Sequence, residues 1–178
     1  MNKKCHITDY EFKLTDKFFF DTNIWFYLIG PTENPDKNAH IYMSALEKMQ
    51  QSECKIYIDV IVLSEFINRY AKYLALKEFN IDVHQYEKFR ENKQFKVVSS
   101  AVNNACKKIL AIAERISSDF ESVVLNEILS LYSDNKADFN DQILENICIT
   151  NNLKLVTHDI DFKQAKCEIL TANYKLLH

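Results

Sequence analysis

The feature that most constrains this chain is the stretch 17–30, KFFFDTNIWFYLIG, in which three consecutive phenylalanines run straight into Asp21. An unbroken apolar run suits a strand whose sheet is covered on both faces, and open α/β sheets present functional residues at the carboxyl ends of such strands. Asp21 is therefore predicted at a polar sheet edge. It also has a plainer use. Asp21, Thr22 or Asn23 can each cap the helix expected from Ile24 onward, because their side chains accept hydrogen bonds from free helical N–H groups. The motif alone does not choose between a cap and a chemical site.

The 178-residue chain contains only one glycine and two prolines, and Gly30, Pro31 and Pro35 fall within six residues of one another. That clustering predicts a loop over 30–35, with Asp36 capping a helix over Lys37–Gln51 whose apolar face is Tyr42, Ala45, Leu46 and Met49. Residues 55–59 (KIYID) read as a short strand. A helical period follows from Val60 to about Lys77, with Leu63, Phe66, Ile67, Tyr70, Ala71 and Leu74 on one side. Glu65 lies off that stripe, near the helix start, where the helix dipole favours an acid in any case.

The segment 80–133 is predicted to be mostly helical. Val98, Ala101, Val102, Ala105, Ile109, Ile112, Ala113 and Ile116 form its clearest stripe, and Phe120, Val123, Val124 and Ile128 follow after a break near 117–119. This reads as a helical hairpin laid against the sheet. Strand and helix then alternate again: a helix over 138–152, a strand at 153–157 (LKLVT), the run HDIDF, and a last strand at 167–170 (CEIL). Strands separated by helices imply right-handed crossovers and a mainly parallel sheet with helices on both faces. The length fits one domain, 1–178, with its core over 16–172.

No apolar stretch approaches the roughly 20 residues needed to span a bilayer, and the N-terminal lysines have no apolar run behind them. A soluble cytoplasmic protein without a membrane partner is expected. Cys5, Cys54, Cys106, Cys148 and Cys167 are scattered and odd in number, which suits reduced thiols better than a disulfide scaffold or a zinc site. The net charge of −3 is unevenly spread: 69–115 holds ten Lys/Arg against five Asp/Glu, and the remainder holds 12 against 20. A basic segment beside an acidic remainder suits a carboxylate site that must still attract a polyanion, although solvated helix faces produce the same statistic.

Four acids share one kind of location: Asp21 after a strand, Glu65 early in the helix after a strand, Asp141 in the first turn of a helix, and Asp159 after a strand. In a parallel sheet these points gather at the carboxyl edge. Carboxylates crowded there raise one another's pKa unless a cation neutralises them, and Mg²⁺ or Mn²⁺ is the natural counter-ion for an all-oxygen donor set. Such ions activate water and stabilise the leaving oxygen in phosphodiester hydrolysis. Asp138, one turn before Asp141, and Asp161 compete with their neighbours as ligands or serve as helix caps. His158 adjoins Asp159 and is either a phosphate contact or an exposed strand-end residue.

The ordered set FFFDTN, SEF at 64–66, Asp141 leading a helix, and LVTHDIDF resembles the PIN-domain nucleases, the group that includes the toxins of VapBC-type toxin–antitoxin pairs. The resemblance implies a three-layer α/β/α sandwich with a parallel sheet, here carrying the helical hairpin as an insertion. It places Asp21, Glu65, Asp141 and Asp159 where the family's metal-binding acids stand, and Asn23 at the polar residue of the opening motif. It also implies Mg²⁺- or Mn²⁺-dependent cleavage of RNA, with an antitoxin protein and a homodimer as partners to be tested. A non-catalytic module of the same fold that binds protein or RNA is the alternative. A small-molecule phosphatase is disfavoured, because Asn23 stands where that chemistry usually shows a second aspartate.

Overall fold

The computed structural model describes residues 4–30, 37–118, 120–134 and 138–178. The loop expected over 31–35, the cap expected at Asp36 and the break at Asp119 lie outside these residues. Six strands form one sheet: β1 (Lys4–His6), β2 (Lys17–Phe20), β3 (Lys55–Ile58), β4 (Glu114–Arg115), β5 (Lys154–Val156) and β6 (Ile169–Thr171). Their order is β1-β6-β5-β2-β3-β4, and every pairing is parallel. Helices α1 (Thr22–Ile29), α2 (Lys37–Gln51), α3 (Val60–Phe79), α4 (Tyr86–Phe89), α5 (Phe95–Ile112), α6 (Leu125–Ser133), α7 (Phe139–Thr150) and α8 (Tyr174–Leu177) complete a three-layer α/β/α arrangement.

Strand β2 explains its own composition. It lies between β3 and β5 with both faces covered, and Phe18, Phe19 and Phe20 are each at most 2% exposed. Burying a phenylalanine contributes about 1.5–3 kcal/mol, so the triplet anchors the middle of the sheet. The chain leaves β2 toward β3 on one side and later returns to β5 on the other. The carboxyl ends of β2 and β5 therefore flank the point where strand order reverses, the usual place for a ligand crevice in such sheets.

Two strands depart from the sequence expectation. β1 precedes the expected core and forms an edge beside β6, with Cys5 opposite Leu170. β4 interrupts the segment read as mostly helical. The amphipathic stripe of α5 buries Val98, Val102, Ala105 and Ile109, but Ala113 turns to extended backbone (φ −111°, ψ 138°). Glu114 and Arg115 then pair with Tyr57 and Ile58, and the Ile116 N–H donates to the Ile58 carbonyl at 2.9 Å. Apolar residues at 113 and 116 continue the helical period and give no sign of a strand, so the open edge of β3 decides. Helix α5 packs along α3.

A small second core lies between these helices, made of Ala71, Ala75, Tyr86, Phe89, Val98 and Val102. Asn80 closes α3 in the left-handed conformation (φ 54°), which asparagine tolerates better than most residues. Gly30 ends α1 with its N–H on the Phe26 carbonyl at 3.1 Å. A Cβ at position 30 would lie 2.3 Å from that carbonyl oxygen, so the close approach requires glycine.

Candidate functional site

Asp21 follows β2 directly and is 7% exposed. Its backbone is extended (φ −66°, ψ 158°) and its Oδ1 accepts from the Thr22 N–H at 2.6 Å, so it does cap α1. The cap and the sheet-edge carboxylate are the same residue. Register does the rest: Phe20 pairs with Val156, which sets Thr157 beside Asp21. The Thr157 hydroxyl donates to Asp21 Oδ2 at 2.7 Å and accepts from the Asp159 N–H at 3.0 Å. Asn23 Nδ2 donates to Asp21 Oδ2 as well, and Asn23 Oδ1 accepts from the His158 N–H at 3.1 Å. One asparagine and one threonine thereby fasten the turn after β2 to the turn after β5.

Thr22, 1% exposed, carries the connection to a third element. Its hydroxyl donates to Glu65 Oε2 at 2.9 Å, which brings the exposed Glu65 of α3 to the Asp21 edge. The helix begins there because Asp59, just after β3, caps it through the Val62 N–H at 2.9 Å. Asp59, expected as the last residue of the strand, is the cap of the helix instead. At the fourth element, exposed Asp138 caps α7 through the Asn140 N–H at 2.9 Å, and half-buried Asp141 lies in the first turn. Asp159 is likewise a cap. It receives the Asp161 N–H at 3.0 Å and starts the 3-10 turn Ile160–Gln164, so the capping role expected of Asp161 belongs to Asp159, the residue with extended backbone.

These acids feel one another. Burial pushes the Asp21 carboxyl up to about 6, with the fields of Glu65 and Asp159 adding to it and the hydrogen bonds from Thr157 and Thr22 opposing it. Asp141 is pushed up to about 7, first by burial and then by Asp21, Asp138, Asp159 and Asp161. All the acids singled out in the sequence thus share one electrostatic neighbourhood. Among the described residues, no three His, Cys, Asp or Glu side chains are drawn together as a finished metal site. The edge is an array of oxygen donors with surplus negative charge.

Sequence reasoning missed the residues that hold this array. Thr157, 0% exposed, is the shared hydrogen-bond partner of Asp21 and Asp159; its only signal was a hydroxyl at the end of LKLVT. Buried Tyr42 of α2, expected only as part of an apolar face, also makes polar contacts. Its hydroxyl accepts from the Ala172 N–H at 2.9 Å and lies 2.9 Å from His158 Nδ1, while Asn173 Nδ2 donates to the His158 carbonyl at 2.8 Å. His158 is therefore gripped from α2, from α1 and from the cap of α8, neither simply exposed nor free to swing. Of the aromatics in the basic segment, Tyr86 and Phe89 are core, whereas Tyr70 and Tyr73 are half-buried.

No helix among the described residues is long and apolar enough to cross a membrane. No curated protein sequence matches the chain. Among the solved structures similar to it are the following two. VapBC2 from Rickettsia felis, bound to a DNA fragment from their promoter, has a TM-score of 0.52 and 20% identity, covering 87% of this chain and 98% of that one. PAE2754 from Pyrobaculum aerophilum has a TM-score of 0.48 and 15% identity, covering 94% of this chain and 92% of that one. The sequence pattern of the PIN domain matches residues 18–166, and the chain belongs to the PIN domain family, whose members are in general nucleases.

Proposed function

We propose that this protein is a metal-dependent endoribonuclease that hydrolyses phosphodiester bonds of RNA at the carboxyl edge of β2 and β5. The observation that carries the reading is the surplus of carboxylates there: burial first, and then the fields of the neighbouring acids, raise the pKa of both Asp21 and Asp141. An array of hard oxygen donors with surplus negative charge fits Mg²⁺ or Mn²⁺. Asp21, Glu65, Asp141 and Asp159 would hold the ion. When bound, such an ion activates water and stabilises the leaving oxygen of an in-line phosphoryl displacement.

The chain's own residues have separate tasks. Thr157 and Asn23 fix the Asp21 carboxylate, Thr22 aims Glu65, and Asp138 starts the helix that carries Asp141. Arg69 lies one helical turn beyond Glu65 on α3, with its guanidinium 4.8 Å from the centre of the Phe26 ring. That stacking holds a cation beside the acids, where an RNA phosphate needs one, and the basic segment 69–115 extends the same attraction. The reading includes an antitoxin partner. Its support is the likeness of fold to the Rickettsia felis VapBC2 structure.

Purified protein incubated with a single-stranded RNA and Mn²⁺ should cleave it, EDTA should stop the reaction, and Asp141→Asn should lower the rate by roughly two orders of magnitude, about 2.7 kcal/mol of barrier. Equal cleavage by both proteins, or by neither across metals, would leave the non-catalytic binding module as the better description.

A further inference from the structure

Next to the acidic edge lies a cavity of about 400 Å³, within the usual range for small-molecule sites. Three elements wall it. Leu131 of α6, Phe162 and Ala165 supply apolar surface, Asp141, Gln142 and Glu145 of α7 supply one polar wall, and Asp161 and Gln164 of the 3-10 turn, with Lys166 just after it, supply the other. Asp141 belongs to both places, so whatever occupies the cavity sits beside the proposed hydrolytic centre.

The wall chemistry restricts the occupant. Carboxylates at 141, 145 and 161 outnumber the single cation of Lys166, so the wall disfavours a phosphate and suits an uncharged group that donates hydrogen bonds. Glu145 is held rigid: it is buried, its Oε1 accepts from the Lys166 N–H at 2.6 Å, and Gln142 Nε2 lies 3.5 Å from its Oε2. A wall rich in acceptors needs N–H donors opposite it, and the carboxamides of Gln142 and Gln164 can each donate or accept. An unpaired nucleobase meets these demands, since it is flat, apolar on its faces and hydrogen-bonding at its edge, and sequence-specific RNA recognition works mainly on such splayed bases. Carboxylates accept from exocyclic amino groups. Uracil has none.

Resting on the ribonuclease reading, we infer that this cavity is a base-recognition subsite that seats one unpaired amino-bearing base, cytosine, adenine or guanine in preference to uracil, beside the scissile phosphate. Gln142, Glu145 and Gln164 read its edge and Leu131 supports its face. The subsite selects where in a single strand the chain cuts, and takes no part in the bond-breaking step.

The test uses the full chain and fluorescent hexamers of cytidylate, adenylate and uridylate. Affinity is read by anisotropy with Ca²⁺ in place of Mn²⁺, and cleavage is read separately with Mn²⁺. The cytidylate and adenylate hexamers should bind at least about fivefold tighter than the uridylate hexamer. Leu131→Trp, which fills the cavity, should collapse that ratio toward one, and Gln164→Ala, at an exposed position that folding does not need, should reduce it. Equal binding of all three hexamers, failure of any to bind, or a preference that survives both substitutions overturns the subsite. Base preference without cleavage upholds the subsite and overturns the nuclease reading; cleavage without base preference does the reverse.

Discussion

The carboxyl edge of the sheet has a closed half and an open half, and they are built on opposite principles. In the closed half, Asp21, Thr22, Asn23 and Thr157 are buried or nearly so, and their polar atoms are bound to one another across β2 and β5. In the open half, Glu65, Asp138, Asp159 and Asp161 are exposed and Asp141 is half-buried, each carried by the beginning of a helix or turn. The closed half has satisfied hydrogen bonds and one uncomfortable charge. The open half has charge with few fixed partners. A site divided in this way can hold one ligand group rigidly while the others adjust to whatever arrives.

If that division is real, damage to the closed half should be felt first as lost stability. Thr157→Val keeps the shape but removes the hydroxyl that serves both Asp21 and the Asp159 N–H, so that Asp21 Oδ2 keeps Asn23 alone and the Asp159 N–H loses its partner. Such losses cost about 1–3 kcal/mol each, so denaturant unfolding should show a loss of about 2–4 kcal/mol. A loss below about 0.5 kcal/mol would mean that the network is incidental.

A smaller effect separates the halves by pH. An aspartate titrates near 3.9 in the unfolded chain, whereas folded Asp21 titrates at about 6 and Asp141 at about 7. The folded state therefore binds these protons more tightly, and metal-free stability falls as pH rises from about 4 to about 7. After screening of the half-buried group, the difference should be on the order of 1–3 kcal/mol. Metal-free melts should give a higher Tm at pH 5 than at pH 8, and Asp141→Asn should flatten part of that slope. A stability that rises over this interval in wild type and variant alike would contradict the origin assigned to the strain.

Tyr42→Phe probes the outer support of the closed half. It leaves the buried Ala172 N–H without its partner, and about 1–2 kcal/mol should be lost, with His158 released from one of its contacts. The smallest effect is expected at the rim. Asp138→Ser retains a capping oxygen for the Asn140 N–H and removes a charge that raises the Asp141 pKa. Stability by denaturant should change by less than about 0.5 kcal/mol. RNA cleavage should stay within a few-fold of wild type; a hundredfold loss would move the ligand role from Asp141 to Asp138.

The closed half was only half legible in the amino-acid order. Three phenylalanines ending in an acid announced a central strand and its polar end, because no other use of such a run is physically economical. Thr157 was invisible, since a single threonine at a strand end becomes important only through the register that sets it beside Asp21. The open half was easier to find, because acids after strands and in first turns of helices converge whenever the strands are parallel. Choosing between Asp159 and Asp161 as the cap needed backbone angles, which neighbouring aspartates do not encode. Strands β1 and β4 escaped for a related reason. Three and two residues are too few to show a period, and pairing with an open sheet edge overrides local preference.

Everything proposed for the edge depends on its negative charge being matched by a divalent cation, and a metal titration followed by melting tests that most directly. Mn²⁺ added to metal-depleted protein at pH 8 should raise the Tm by roughly 5–10 °C at a hundredfold excess over its dissociation constant, because an ion bound only by the folded chain stabilises it by about 2.7 kcal/mol there. Asp141→Asn should melt higher than wild type without metal and gain little from it. A wild-type Tm that ignores Mn²⁺, or an equal gain in the variant, would contradict the account.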